Sequence, residues 1–109
     1  MSEEQNGNKI SVYATNRFDK ALGKLSEDQQ KTVEDEIDQI IEAPEIGEQK
    51  KGDLRHLWVH KFKINKLEWL LGYNWNEGEL IIHLLQLGSH ENYYAEAKKK
   101  RKSDAKFMK

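Results

Sequence analysis

"LRHLWVHKFKINKLEWLLGYNWNEGELIIHLLQLGSHENYY", residues Leu54 to Tyr94, decides the fold of this chain. Its first eleven residues alternate. His56, Trp58, His60, Phe62 and Ile64 fall on one side, and Arg55, Leu57, Val59, Lys61 and Lys63 on the other. That is the period of a strand with two unlike faces. Asn65-Lys66 then predicts a tight turn into a second strand, Leu67 to Trp75. "NEG" (76–78) predicts a hairpin loop, with its glycine where a positive φ is wanted, into a third strand, Glu79 to Leu87. Three strands joined by connections this short form an antiparallel meander. Gly88 ends the most apolar run of the chain, and His90, Glu91, Asn92, Tyr93 and Tyr94 crowd its exit.

Upstream the pattern changes. Residues 1–9 are polar and predict a disordered tail. Ile10, Val12 and Ala14 alternate with polar neighbours, which predicts a short strand over 10–15 that joins the sheet. Phe18, Ala21, Leu22 and Leu25 take helical spacing. Ser26 with Gln29 three residues on is a capping-box pattern for a second helix, whose apolar face is Val33, Ile37, Ile40 and Ile41. Pro44, the only proline, marks its end, and "EIGEQKKGD" (45–53) reads as a loop. Almost nothing separates the two helices, so they form an αα-hairpin. From Asn92 onward the chain predicts a short helix that frays. The expected fold is α+β: an N-terminal strand and an αα-hairpin packed on a twisted, mainly antiparallel four-stranded sheet, with a short C-terminal helix. The sheet's other face is expected to be partly open. The expected division is a tail at 1–9, one domain at 10–97 and a basic tail at 98–109.

Composition narrows the function. The chain has 109 residues, which suits one domain with a modest core. No apolar run approaches a membrane span, and the polar start does not resemble a signal peptide. There are no cysteines, which removes disulfides and thiolate zinc sites and fits the cytoplasm. The net charge of −1 conceals two halves of opposite sign. Residues 1–49 carry 12 acidic and 5 basic side chains, and residues 50–109 carry 7 and 13. The second half is the one suited to a polyanion. His56 and His60 are four apart on an expected strand, too far to chelate one ion easily, so no metal and no cofactor is expected. His83, set in "LIIHLLQ", reads as structural.

The element order, together with "KKGDLRHLWVHKFKI", "EWLLGY" and "LGSHENYY", resembles the RelE/ParE superfamily of toxins from bacterial type II toxin–antitoxin pairs. The resemblance spans roughly residues 10–97. Glu68-Trp69 before an aliphatic strand ending in Tyr73, and Gly88-Ser89-His90 with Tyr94 four residues after the histidine, are similar to the YafQ branch of mRNA interferases. Many relatives carry an arginine where His90 stands, and a histidine can also move a proton near neutral pH.

The resemblance implies an endoribonuclease that cuts mRNA, on the ribosome, through the 2′-OH and without a metal, neutralised by a cognate antitoxin. His90, His60, Glu68 and Tyr94 are then the expected catalytic residues. His56, Trp69, Lys51, Lys61, Lys63 and Tyr93 are expected to bind substrate. Because neighbours on a strand point to opposite faces, only one of Glu68 and Trp69 can face the RNA on a regular strand. "KKKRK" (98–102) is expected to lie outside the site and act through charge. Two other readings remain: a ParE-like inhibitor of DNA gyrase, which needs no acid–base residues, and a non-catalytic RelE-fold binding protein.

Overall fold

A computed structural model describes residues 10–76, 80–91 and 93–106. The order is β1 (Ser11–Ala14), α1 (Asn16–Gly23), α2 (Glu27–Glu42), β2 (Glu48–Gln49), β3 (Trp58–Ile64), β4 (Leu67–Trp75), β5 (Ile81–Ser89), α3 (Tyr93–Lys99) and α4 (Arg101–Ala105). One sheet runs β1-β5-β4-β3-β2, so it has five strands rather than four. The fifth is the two-residue β2, inside a segment expected to be loop. β1 is parallel to β5 and the other pairs are antiparallel. The expected 1–9 tail and most of the "NEG" loop (77–79) lie outside the described residues.

Local chemistry explains the elements. Thr15 caps α1 through the Phe18 N–H at 3.1 Å. Ser26 and Gln29 form both arms of the capping box that opens α2. Asn65 and Lys66 both take positive φ, 52° and 72°, the backbone a two-residue turn needs to match strand twist. Beyond α2 the chain is tied to the sheet by Tyr73. Its Oη donates to the Pro44 carbonyl at 2.5 Å and accepts the Gly47 N–H at 3.1 Å. Burial of that ring pushes the Tyr73 hydroxyl up to about 12.

The sheet is covered on both faces. On one, Phe18, Val33 and Ile40 of the helical hairpin pack on Phe62, Ile64, Leu71, Tyr73, Ile82 and Leu84. On the other, a second cluster joins Leu57, Val59, Leu70 and Leu85 to Leu54, Tyr93 and Ala97. The face expected to be partly open is therefore roofed over part of its area. The roof is α3 and the 3₁₀ turn Gly52–Leu54, which turns at Gly52 with φ 64°. Gly72 permits the roof to close: a Cβ there would collide with Tyr93 Oη and with Leu57 Cδ1. In β5, Gln86 sits opposite Gly72 but Leu84 sits opposite Tyr73, so Leu85 is an extra residue. This bulge sets the buried Leu85 and Gln86 one after the other.

The end of the chain is held as well. Asp104 of α4 is 3% exposed and accepts both Arg17 Nη1 at 3.1 Å and Nη2 at 2.6 Å. Arg17 Nη2 also reaches Gln86 Oε1 at 3.4 Å. The described part of the basic 98–109 segment is thus helical and pinned to α1.

Candidate functional site

The alternation of β3 and β4 sorts the candidate residues. Trp58, Phe62 and Ile64 pack toward the helical hairpin, and His60 lies among them. Lys61 and Lys63 are exposed on the opposite face. On β4, Trp69, Leu71 and Tyr73 face the hairpin, and Glu68 and Leu70 face the other way.

Glu68 is central to that second face. Lys63 is its direct cross-strand partner on β3. Direct partners in an antiparallel pair share a face. On its other side, His90 donates its backbone N–H to the Glu68 carbonyl at 3.2 Å, which fixes the start of the "GSHE" turn beside it. Lys63, Glu68 and His90 therefore form a row across the ends of three strands. The next row is Lys61, Leu70 and Gly88. Gly88 has no side chain, which leaves room above the row.

A second cationic group stands at the start of α3. Lys50 Nζ lies 5.1 Å from the centroid of the Tyr94 ring and 3.1 Å from Glu48 Oε1. Burial pulls the Lys50 ammonium down, but the bonds to Glu48 and Tyr94 outweigh it, and the net direction is up. Lys50 stays charged. Glu48 in turn is held below the usual carboxylate range, chiefly by its bond to Lys50. Tyr94 is half-buried and meets Tyr93 edge-on at 5.5 Å. Lys51 is exposed, one residue before the Gly52 turn.

The structure does not gather all ten sequence-derived candidates. His60 lies beneath α2, with Nε2 2.6 Å from Glu36 Oε1, and stacks on Phe62 at 6.1 Å. The hairpin covers the face to which the alternation assigns it, so it is separated from Glu68 and His90 by the sheet. Trp69 shares that face, opposite Phe62. His56 is not on a strand at all. β3 begins at Trp58, and His56 is buried at 2% exposure in the turn before it. Its carbonyl accepts Asn74 Nδ2 at 2.8 Å, and burial pushes the imidazole pKa down. Among the described residues its Nε2 has no hydrogen-bond partner. Tyr93 is a wedge in the second core, its Oη donating to the Gln86 carbonyl at 3.1 Å. Burial pushes that hydroxyl strongly up. His83 is half-buried, stacked with Tyr13 at 5.7 Å. The expected catalytic and substrate-binding residues are therefore divided between the two faces of the sheet. His90, Glu68, Lys61 and Lys63 are on or beside one face, while His60 and Trp69 are under the hairpin.

The sequence reading missed Glu48, Glu36 and the Arg17–Asp104 clamp. The Glu48-x-Lys50 spacing, on a two-residue strand and its exit, is a faint signal for the first. The other two join residues 24 and 87 positions apart, and no local pattern announces them. Among the described residues no group of three or more His, Asp or Glu side chains could hold a metal ion.

A helical hairpin on one face of a mainly antiparallel sheet, with Lys61, Lys63, Glu68 and His90 on or beside the other, is a small α+β fold. The sequence places it in a family. Residues 12–98 match the family model described as "ParE-like toxin of type II bacterial toxin-antitoxin system". The chain belongs to that family. Solved structures carry the same fold. An E. coli RelE toxin mutant with two arginines replaced by alanine, in the free state, matches with a TM-score of 0.66 at 18% identity, covering 84% of this chain and 97% of that one. RelE in the intact E. coli RelBE toxin–antitoxin complex matches at 0.60 and 17%, covering 75% and 98%. The same RelE mutant bound to an antitoxin RelB peptide matches at 0.59 and 19%, covering 81% and 93%. No curated protein sequence matches the chain. The YafQ branch, singled out from two short motifs, receives no support from these matches. Among the described residues no helix is long and apolar enough to cross a membrane.

Proposed function

We propose that this type II toxin is an endoribonuclease that cuts mRNA by acid–base catalysis through the 2′-OH. The observation that carries the reading is the row Lys63–Glu68–His90, with Lys61 beside it. Cleavage needs a base for the 2′ proton, an acid for the departing oxygen and cations for the charge on the phosphorane. Glu68 is the proposed base. It takes the 2′-OH proton as that oxygen attacks the adjacent phosphorus. His90, exposed and unencumbered by the core, is the proposed acid, giving its proton to the 5′ oxygen as the P–O5′ bond breaks. The products are a 2′,3′-cyclic phosphate and a free 5′-OH. Lys61, Lys63 and Lys51 stabilise the phosphates. Tyr94, beside the Lys50 ammonium, offers a face for base stacking. His60 and His56 enter the chemistry only indirectly, by supporting β3 and its approach.

The fold match to RelE bound to its antitoxin supports a cognate antitoxin as the partner, and the basic half of the chain suits an acidic one as well as RNA. The ribosome is the proposed site of mRNA cutting, and the cytoplasm its compartment. The test is product analysis on RNA, with and without ribosomes. Wild type should leave cyclic-phosphate ends, and Glu68→Gln and His90→Ala should each abolish them. Undiminished cleavage by the double variant would overturn the assignment. A second reading, gyrase inhibition, is favoured by the ParE-like description of the matching family and by the loss of His60 from the open face. It predicts blocked DNA supercoiling in the absence of any RNA cleavage, retained in both variants.

A further inference from the structure

A cavity of about 210 Å³ lies between the Gly52 turn and α4, lined by Gly52, Asp53, Arg55, His56, Arg101 and Lys102, with Ala105. None of its lining residues belongs to the Lys63–Glu68–His90 row. Two facts mark the cavity as more than a gap in packing. Three cations converge on it from two separate elements, Arg55 from the turn and Arg101 and Lys102 from α4. One acid, Asp53, faces them, and its nearest approach to Arg101 Nε is a loose 4.0 Å. The second fact is His56. It is a wall residue, almost wholly buried, whose Nε2 has no partner among the described residues. Buried polar atoms without partners are rare in native folds and ask for an explanation. A neutral imidazole can carry its proton on Nε2 and donate it.

We propose that this cavity is a phosphate-binding site for a nucleotide unit, held by Arg55, Arg101 and Lys102 with His56 as a neutral donor at its wall. Arginine forks match phosphate oxygens two at a time, and a lysine adds a point charge. Asp53, the one acceptor in the ring of cations, is placed to take a sugar hydroxyl or a base amino group, which selects a nucleotide over a bare anion. The site does not depend on cleavage at the Glu68–His90 face. It gives the C-terminal basic run a defined role, since Arg101 and Lys102 line the pocket and Lys98, Lys99 and Lys100 do not.

The test follows the His56 ring signals of the full-length chain by NMR. The titrants are inorganic phosphate, uridine 3′-monophosphate and a short 2′-O-methyl RNA that cannot be cleaved, all at constant ionic strength. Saturable shifts are expected with the mononucleotide or the RNA, and at least tenfold weaker with inorganic phosphate. Saturation by the mononucleotide alone assigns the site to free nucleotides. Saturation by the RNA as well assigns it to an RNA phosphate. Arg55→Ala/Lys102→Gln, both surface positions, should weaken mononucleotide binding at least tenfold, and Lys98→Gln/Lys99→Gln less than twofold. No saturable shift with any titrant, or equal weakening in the two variants, would overturn the proposal.

Discussion

Single residues divide by which side of the sheet they meet. His90 is exposed and makes both its described bonds, to Glu68 and from Tyr93, through its backbone, so His90→Ala removes a proton carrier and almost no packing. It should abolish RNA cleavage in a single-turnover assay while leaving the Tm within a few degrees. His60→Ala should do the reverse. It breaks the 2.6 Å bond to Glu36 at the α2–β3 seam, where both side chains are less than a fifth exposed. The expected cost is about 1.5–3 kcal/mol, the range for a hydrogen bond to a charged group, read from urea denaturation. Cleavage measured below the melting transition should survive. His56 contributes a pH dependence. Burial lowers its folded-state pKa below the ordinary value of 6.5, so the unfolded chain binds more protons as pH falls. His83 shifts the same way for the same reason. Stability should therefore be full above about pH 6.5 and decline as the medium is acidified below that value. A His56→Gln chain should decline less steeply in denaturation curves collected across pH 5–7.

At the scale of elements, the second face is closed by α3 and held by α4. Gly72→Ala places a methyl group against Tyr93 Oη and 2.8 Å from Leu57 Cδ1. Neither neighbour is a free chain end, so the variant should lose about 1–3 kcal/mol, the usual cost of overpacking. Arg17→Ala should loosen α4, because it strips the buried Asp104 carboxylate of both its guanidinium bonds. Breaking such a pair costs about 3–5 kcal/mol when fully buried, and somewhat less here because Arg17 is a quarter exposed. Amide exchange at 101–105 should rise first, ahead of the sheet. Unchanged protection there would show that α4 is held by something else. The helical hairpin and meander were legible because each has a local signature: the Ser26–Gln29 box, the period of Val33, Ile37 and Ile40, and the turn at Asn65-Lys66. The roof was not. Leu54 and Leu57 look like strand residues by alternation, yet Gly52 turns the backbone there, and that turn is stabilised only once Tyr93 and Ala97 arrive from about forty residues away.

Over the whole molecule, charge is segregated. The first 49 residues are net acidic and supply the hairpin, and the last 60 are net basic and supply the meander and the roof. Lys98, Lys99 and Lys100 are exposed and lie outside the Lys63–Glu68–His90 row. Replacing all three by Gln should weaken association with single-stranded RNA and make the slope of log K against log salt less steep by up to about 2. The chemical step at saturating substrate should not change. A collapsed single-turnover rate would place these lysines at the scissile phosphate instead.

The α+β class, the helical hairpin, the meander and the side of each β3 residue follow from the order of amino acids alone, because helix and strand periods are local rules, while β2 and α4 do not. The same local reading marks Glu68, His90 and Lys63 as candidates without saying that they adjoin. Their adjacency is a matter of register, settled by where the β3–β4 turn falls and by the His90 N–H on the Glu68 carbonyl. Which sheet face the helices cover is a property of the packed molecule. The hairpin's apolar stripe selects the face rich in Phe62, Ile64, Leu71 and Tyr73, since that burial removes the most apolar surface from water. In doing so it takes His60 and Trp69 with it and leaves the lysines, Glu68 and His90 to the solvent.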